Sequence, residues 1–201
     1  MSRRAAFIDR DGVLNEERAF VHRIEDFEFV AGALEALRQL QEAGYLLVVI
    51  TNQSGIARGL YSEAEFLTLT AQMRARLAAE GINLHAVEYC PHLPDAPVAR
   101  YRLECDCRKP KPGMLRRAIE ALDIAPGESF LVGDRLSDVE AGRAAGIARC
   151  FLVRTGYQLP EDSALRADGI YDDLLACVRA VVSATGATVA PIPDASRGGL
   201  R

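Results

Sequence analysis

No run of apolar residues in the 201-residue chain is long enough for a membrane span or for the central segment of a signal peptide. Near the N-terminus only residues 5–8 stand between Arg4 and Asp9. These absences predict a cytoplasmic protein. Basic charge is also scarce. Lysine and arginine total 24 against 28 aspartates and glutamates, a net charge of −4. That balance provides no overall basic face for nucleic acid or anionic lipid, so any cation that binds an anionic substrate must act locally. No Gly-x-x-x-x-Gly-Lys-Ser/Thr and no Gly-x-Gly-x-x-Gly occurs, which removes the usual P-loop and dinucleotide sites. No Gly-x-Ser-x-Gly elbow supports a serine hydrolase. No internal repeat and no proline-rich linker interrupts residues 1–185, which predicts one domain. At 49% apolar and 26% charged residues, a chain of this length can bury a core without disulfides. Residues 186–201, rich in Gly, Pro, Ala and Ser, are expected to form a mobile tail.

The apolar pattern alternates between two periods. Residues 5–8 form a short apolar run. Residues 32–43 have helical spacing through Leu34, Leu37 and Leu40, with Gly44 as a stop signal. Residues 45–50, "YLLVVI", are apolar throughout, as a strand buried on both faces requires. Ser62 and Glu65 form a capping box that opens a long helix ending at Gly81. Residues 85–89, 130–132 and 148–153 read as further strands. Helices are expected from Pro112, in a first turn, to Leu122, from a Ser137–Glu140 capping box to Gly146, and over 172–183. Five strands alternating with helices predict an α/β fold, a Rossmann-like doubly wound parallel sheet with helices on both faces. Such sheets gather functional residues at the C-terminal ends of their strands.

Those ends are rich in chemistry. The first expected strand leads into Asp9-Arg10-Asp11-Gly12, the second into Thr51-Asn52-Gln53-Ser54-Gly55, and the fourth into Gly133-Asp134-Arg135 with Asp138 just beyond. Arg108-Lys109-Pro110 closes an irregular segment over 91–111. Two carboxylates as close as Asp9 and Asp11 repel each other. Either they cap a turn or a cation sits among them. Carboxylates at this spacing suit Mg²⁺, which removes the repulsion between Asp9 and Asp134. Thr51 and neighbouring N–H groups can hold phosphate oxygens, and Lys109 adds a point charge. One aspartate can then attack phosphorus, and the other can move a proton to and from the leaving oxygen. Asp138 serves equally well as a helix-start carboxylate.

The five cysteines divide into two groups. Cys90-x-His92 and Cys105-x-Cys107 supply a Cys₃His set, which holds zinc in a closed, structural, four-coordinate site. Cys150 and Cys177 fall in strand and helix patterns and read as small core residues. His22 and His85 have no neighbour at metal-ligand spacing.

Taken together, "FIDRDGVLN", "TNQSGIARG", "CPH…CDCRKPKPGM" and "VGDRLSDVEAG" resemble the haloacid dehalogenase-like phosphatases, and within them the heptose bisphosphate phosphatases of the histidinol-phosphatase-like group. The resemblance covers residues 5–157. It implies a Mg²⁺-dependent phosphatase with a structural Zn²⁺ loop over 90–107 and no separate cap domain. Its implied substrate is a small sugar bisphosphate, D-glycero-D-manno-heptose 1,7-bisphosphate. The C7 phosphate would leave through an aspartyl phosphate, within carbohydrate metabolism and lipopolysaccharide biosynthesis. By the same resemblance Asp9 is the nucleophile and a Mg²⁺ ligand, and Asp11 is the general acid/base with its backbone carbonyl on the metal. Asp134 is the remaining Mg²⁺ ligand, and Asp138 a supporting carboxylate. Thr51 and Lys109 stabilise the phosphoryl group. Asn52, Gln53, Ser54, Arg108 and Arg135 contact substrate, with Glu17 and Phe20 as further contacts and Arg58 as an additional anion ligand. The chain departs from the family pattern at Val13, at "EERAFVH" and at Lys111, where the family often has histidine. The implied protein is a monomer without nucleic-acid or membrane partners. Histidinol-phosphate phosphatase shares these motifs. A phospho-accepting signalling domain and a zinc-binding adaptor are the readings from other classes.

Overall fold

A computed structural model describes residues 3–184, so the tail expected at 186–201 lies outside the described residues. Strand β1 (Ala5–Ile8) is buried along its whole length. Alternate residues point to opposite faces of a strand, and β1 divides accordingly. Ala6 and Ile8 pack into one apolar layer, Ala5 and Phe7 into the other. Strand β2 (Leu46–Asn52) divides the same way, with Leu47 and Val49 on the first side and Val48 and Ile50 on the second. Strands β3 (Leu84–Cys90), β4 (Phe130–Gly133), β5 (Arg149–Val153) and β6 (Gly169–Tyr171) complete a six-stranded sheet. The order is β3-β2-β1-β4-β5-β6 and every pairing is parallel. The winding reverses at β1, which opens a crevice over the C-terminal ends of β1, β2 and β4.

Helices cover both faces. Helices α1 (Ala33–Glu42), α3 (Glu63–Ala79) and α7 (Leu174–Ala184) supply Leu37, Leu40, Leu69, Met73, Val178 and Val181 to the first layer. Helices α4 (Gly113–Leu122) and α5 (Leu136–Ala144) supply Met114, Leu115 and Val139 to the second. Each such buried side chain contributes about 1.5–3 kcal/mol relative to exposure, so the two layers hold the sheet rigidly beneath the crevice. The capping box at α3 is formed: Ser62 Oγ accepts from Glu65 N at 3.2 Å, and Ser62 N donates to Glu65 Oε2 at 2.7 Å. No helix among the described residues is long and apolar enough to cross a membrane.

Several elements differ from the sequence expectation. Strand β2 runs on through Thr51 and Asn52, because both continue to pair with β3. A short helix α2 (Ser54–Ala57) follows it at once. The start of α5 is capped by Asp138, whose Oδ2 accepts from Arg135 N at 3.0 Å, and not by a Ser137–Glu140 box. Pro112 caps α4 from outside its first turn. A further short helix α6 (Ser163–Arg166) and strand β6 lie beyond the five strands expected. No cap domain interrupts the sheet. Residues 9–32 fold back as a loop, with Glu16 N on Glu28 O at 2.9 Å and Val30 N on Leu14 O at 3.1 Å.

Candidate active site

The floor of the crevice is made by strand ends. Asp9 follows β1, and its N–H donates to Val132 O of β4 at 3.0 Å, so the sheet ladder itself aims the residue. Asp134 follows β4 in the same way. Asp138 reaches the same point from the first turn of α5. Carboxylate oxygens of Asp9, Asp134 and Asp138 lie within 4.8 Å of one another, and all three residues are buried. One buried cation, Lys109, stands among them. Lys109 Nζ sits 3.0 Å from Asp9 Oδ1, 2.6 Å from Asp138 Oδ1 and 3.1 Å from Ile50 O.

Electrostatics there are unbalanced. Burial pushes the Asp9 carboxyl well above its ordinary range; Lys109 opposes the shift, while Asp138, Asp134 and Asp11 add to it. Burial, reinforced by Asp138, pushes Asp134 up to about 6. Burial works against the Lys109 charge, yet Asp138 and Asp9 more than offset it and hold its pKa above the ordinary value. Three buried carboxylates with a single lysine leave a deficit of positive charge, and this donor set of hard oxygens fits a divalent cation such as Mg²⁺. Small residues make room around it. A Cβ at Gly12 (φ +81°) would come within 2.6 Å of Asp134 Oδ2, and one at Gly156 would overlap the Asp134 side chain.

Asp11, two residues from Asp9, has the opposite surroundings. The chain turns at Gly12, with Gly12 N on Asn15 O at 2.8 Å and Leu14 N on Arg10 O at 2.9 Å. The Asp11 carboxylate therefore points away from the three that converge. It accepts from Arg10 Nε and Nη2 at 3.1 and 2.9 Å, from Asn15 Nδ2 at 3.1 Å and from Gln53 Nε2 at 3.0 Å. Arg10 is one of the largest fully buried side chains in the protein. Its second function is to hold the loop, through Nη2 to Val21 O at 2.7 Å.

Thr51 and Ser54 line the pocket, with the Thr51 hydroxyl oxygen accepting from Gln53 Nε2 at 2.7 Å. Asn52 and Gln53 line the pocket as well, and their side chains also engage neighbouring residues. The Asn52 amide is engaged at both ends by Lys109, accepting from Lys109 N at 3.1 Å and donating to Lys109 O at 3.2 Å. The Gln53 amide is likewise engaged by Asp11, Thr51 and Tyr61. Both side chains hold other residues in place.

The wall of the crevice is the 91–111 loop. Cys90 ends β3 beside Asn52, its register partner. Cys90 Sγ lies 3.5 Å from Cys105 Sγ and 3.8 Å from His92 Nδ1; Cys107 Sγ lies 3.2 Å from Cys105 Sγ and 3.4 Å from His92 Nδ1. A tetrahedron with Zn–S bonds near 2.3 Å has edges of about 3.7 Å, so the four atoms fit zinc. Arg108 follows Cys107 directly, half-buried at the pocket, and is held by one long hydrogen bond from Nη1 to His92 O at 3.4 Å.

Floor and wall enclose a cavity of ≈ 560 Å³. Asp9, Asp11, Thr51, Ser54, Arg108, Lys109, Asp134, Arg135, Glu17, Phe20 and Arg58 all line it. The Arg135 guanidinium stacks 3.4 Å over the Tyr157 ring. Glu17 Oε1 accepts from Ala19 N at 2.7 Å, and burial raises the Glu17 pKa against that hydrogen bond. Ala19 and Phe20 turn the rim with φ of 51° and 63°. Sequence reasoning missed the buttress from residues 154–157. Tyr157 N donates to Asp134 Oδ2 at 3.0 Å and Thr155 Oγ1 to Gly12 O at 2.6 Å. The strand-end rule applied to β5 points to this segment. Tyr61, whose OH donates to Gln53 Oε1 at 2.5 Å, was also missed and carries no motif signal.

Comparison with known proteins agrees with this geometry. The family described as "HAD-hyrolase-like" matches residues 106–177. The chain is 48% identical to the D-glycero-beta-D-manno-heptose-1,7-bisphosphate 7-phosphatase of Pasteurella multocida, over 86% of this chain and 93% of that one. It is 45% identical to the enzyme of the same name from Escherichia coli K12, over 85% and 89% of the two chains. The crystal structure of D,D-heptose 1,7-bisphosphate phosphatase from B. bronchiseptica, complexed with magnesium and phosphate, superposes with a TM-score of 0.76 at 33% identity. That match covers 90% of this chain and 99% of the other. The chain belongs to the D-glycero-beta-D-manno-heptose-1,7-bisphosphate 7-phosphatase family of haloacid dehalogenase-like hydrolases.

Proposed function

We propose that the chain hydrolyses the C7 phosphate of D-glycero-beta-D-manno-heptose 1,7-bisphosphate, releasing heptose 1-phosphate and phosphate. The observation that carries this reading is the contrast within three residues. Asp9 faces a cluster of carboxylates and Lys109, whereas Asp11 is ion-paired to Arg10 and accepts from Asn15 and Gln53. A nucleophile that must meet a phosphoryl group needs the first environment, and a residue that handles a proton beside it needs a separate one. The choice of the beta anomer is supported by the names of the relatives.

In this mechanism an Asp9 carboxylate oxygen attacks phosphorus as the bond from phosphorus to O7 breaks. Asp11 delivers its proton to O7, so the sugar leaves as an alcohol. Asp11 then takes a proton from water, and the hydroxide attacks phosphorus. The Asp9–phosphorus bond breaks, and Asp9 and phosphate are released. Thr51 and Lys109 neutralise charge on the phosphoryl oxygens throughout. The Asp9 and Asp134 carboxylates and the Asp11 carbonyl would hold Mg²⁺, which would supply further charge neutralisation at the phosphoryl group. Asp138, occupied by Lys109 and Arg135 N, supports the lysine. Arg58, Arg108 and Arg135 are the pocket cations left for the C1 phosphate, with Glu17 and Phe20 toward the sugar and Ser54 at the phosphate. Zn²⁺ on Cys90, His92, Cys105 and Cys107 holds the wall that presents Arg108. We assign the protein to the cytoplasm as a monomer of one domain spanning 1–185.

The test is phosphate release with Mg²⁺ from both anomers of the heptose bisphosphate, beside histidinol phosphate, with Asp9→Asn as control. Turnover that prefers the beta anomer and vanishes in Asp9→Asn is the expected result. Preference for histidinol phosphate would keep the mechanism and replace the substrate. One phosphate retained per protein without turnover would favour a phospho-accepting signalling module.

A further inference from the structure

Tyr61 has no part in the chemistry described above, yet it is buried at the cavity with its hydroxyl on a single partner. That partner is Gln53 Oε1, at 2.5 Å. At the other end of the same amide, Gln53 Nε2 donates both to Asp11 Oδ2 at 3.0 Å and to Thr51 Oγ1 at 2.7 Å. The three contacts engage both N–H groups and one lone pair of the oxygen. They connect the phosphoryl-binding residue, Thr51, to the proton-carrying residue, Asp11, through one rigid plane.

We propose that Tyr61 is a positioning residue for proton transfer: its hydroxyl locks the Gln53 amide so that Nε2 holds Asp11 at a fixed distance from Thr51. The proposal rests on the reading of Asp11 as general acid/base. Without the hydroxyl, the buried Oε1 has no donor. The amide then gains by turning or withdrawing, and either motion takes Nε2 from Asp11. Arg10 and Asn15 remain on Asp11, so the carboxylate is loosened and not lost.

The surroundings are built for this contact. The Tyr61 ring stacks on His22 at 4.9 Å between centroids and 4° between planes, which fixes it from the loop side. A Cβ at Gly55 would overlap the Tyr61 ring and lie 2.8 Å from its oxygen. Gly55 lies in α2 and does not have a left-handed backbone. Its lack of a side chain is needed for the approach of Tyr61 and not for a turn.

The experiment compares two leaving groups. An alkoxide such as O7 needs a proton to depart; the p-nitrophenolate of p-nitrophenyl phosphate does not. Asp11→Asn sets the reference, with a far larger loss on the sugar bisphosphate than on the aryl ester. Tyr61→Phe keeps the ring stack and is expected to copy that split on a smaller scale. Its kcat/KM, which reports the steps through Asp9 phosphorylation and not the hydrolysis common to both substrates, should fall about tenfold on the sugar bisphosphate and several-fold less on the aryl ester. Gly55→Ala should behave in the same way. The double variant Tyr61→Phe/Gln53→Met should be no worse than Gln53→Met alone, because Tyr61 acts through Gln53. Equal losses of kcat/KM on both substrates, or multiplying effects in the double variant, would overturn the proposal. If Asp11→Asn itself shows no split, the acid/base reading falls and the proposal with it. If only Tyr61→Phe lacks the split, the reading stands and the positioning role does not.

Discussion

Lys109 and Arg108 are adjacent cations on one loop, and they are held in opposite ways. Lys109 is buried, with Nζ on Asp9, Asp138 and Ile50 O and its backbone clamped by Asn52. Arg108 is half-buried and reaches one carbonyl, of His92, at 3.4 Å. The first belongs to the floor, fixed by strands. The second belongs to the wall, beside the cluster of Cys90, His92, Cys105 and Cys107. The difference teaches that reaction and recognition are attached to separate supports in this protein. Damage to the floor should appear in kcat, metal affinity and stability, and damage to the wall in KM.

The sharpest break on the floor is Asp9→Asn, which removes the attacking oxygen. Its kcat should fall by about 10⁴-fold or more in a steady-state phosphate assay, with the fold retained by circular dichroism. Lys109→Met comes next. It leaves Asp9 and Asp138 buried without a cation, a loss of about 3–5 kcal/mol. For a domain of this size, calorimetry should record a drop in Tm of roughly 10 °C.

Gly156→Ala tests the support of the floor from behind. Its new Cβ meets the Asp134 side chain. Titration calorimetry should show Mg²⁺ affinity reduced by about 10- to 100-fold. Gly127→Ala, where no atom lies within 4 Å of the added Cβ, is the matched control.

Protons should compete with the metal. Asp134, pushed up to about 6 by burial and then by Asp138, binds a proton below that pH and must release it to bind Mg²⁺. Apparent Mg²⁺ affinity should therefore fall as pH drops below about 6, by about tenfold per unit for one proton. Affinity unchanged between pH 7 and pH 5 would contradict the proton-for-metal exchange.

Much of the floor could be read in advance for a physical reason. Strands buried on both faces are apolar throughout, so the residue at which "AAFI" gives way to Asp9, or "FLVG" to Asp134, marks where the sheet opens. The Cys₃His spacing identified the wall in the same direct way. What the sequence concealed depends on which way side chains turn after the strand ends. Asn52 and Gln53 stand in a phosphate-binding motif, and their amides also hold Lys109 and Asp11, contacts that no motif announces. Asp138 rather than Ser137 caps α5, because the helix begins at Leu136 and Ser137 already lies inside it. Strand β6 is three residues long and half-buried on both faces, so it has no apolar run to detect. Tyr157 supports Asp134 through its backbone N–H, which any residue type provides.

The most direct test of the separation is steady-state kinetics on enzyme stripped of zinc with a zinc-selective chelator and resupplied with Mg²⁺, beside Arg108→Ala. Loss of zinc frees the loop that presents Arg108, while Lys109 keeps its contacts to Asn52, Ile50, Asp9 and Asp138. The account predicts a rise in KM of about tenfold for the sugar bisphosphate in both proteins, with kcat within about threefold of the intact enzyme. A collapse of kcat at unchanged KM would show that the zinc loop carries the chemistry itself, and would contradict it.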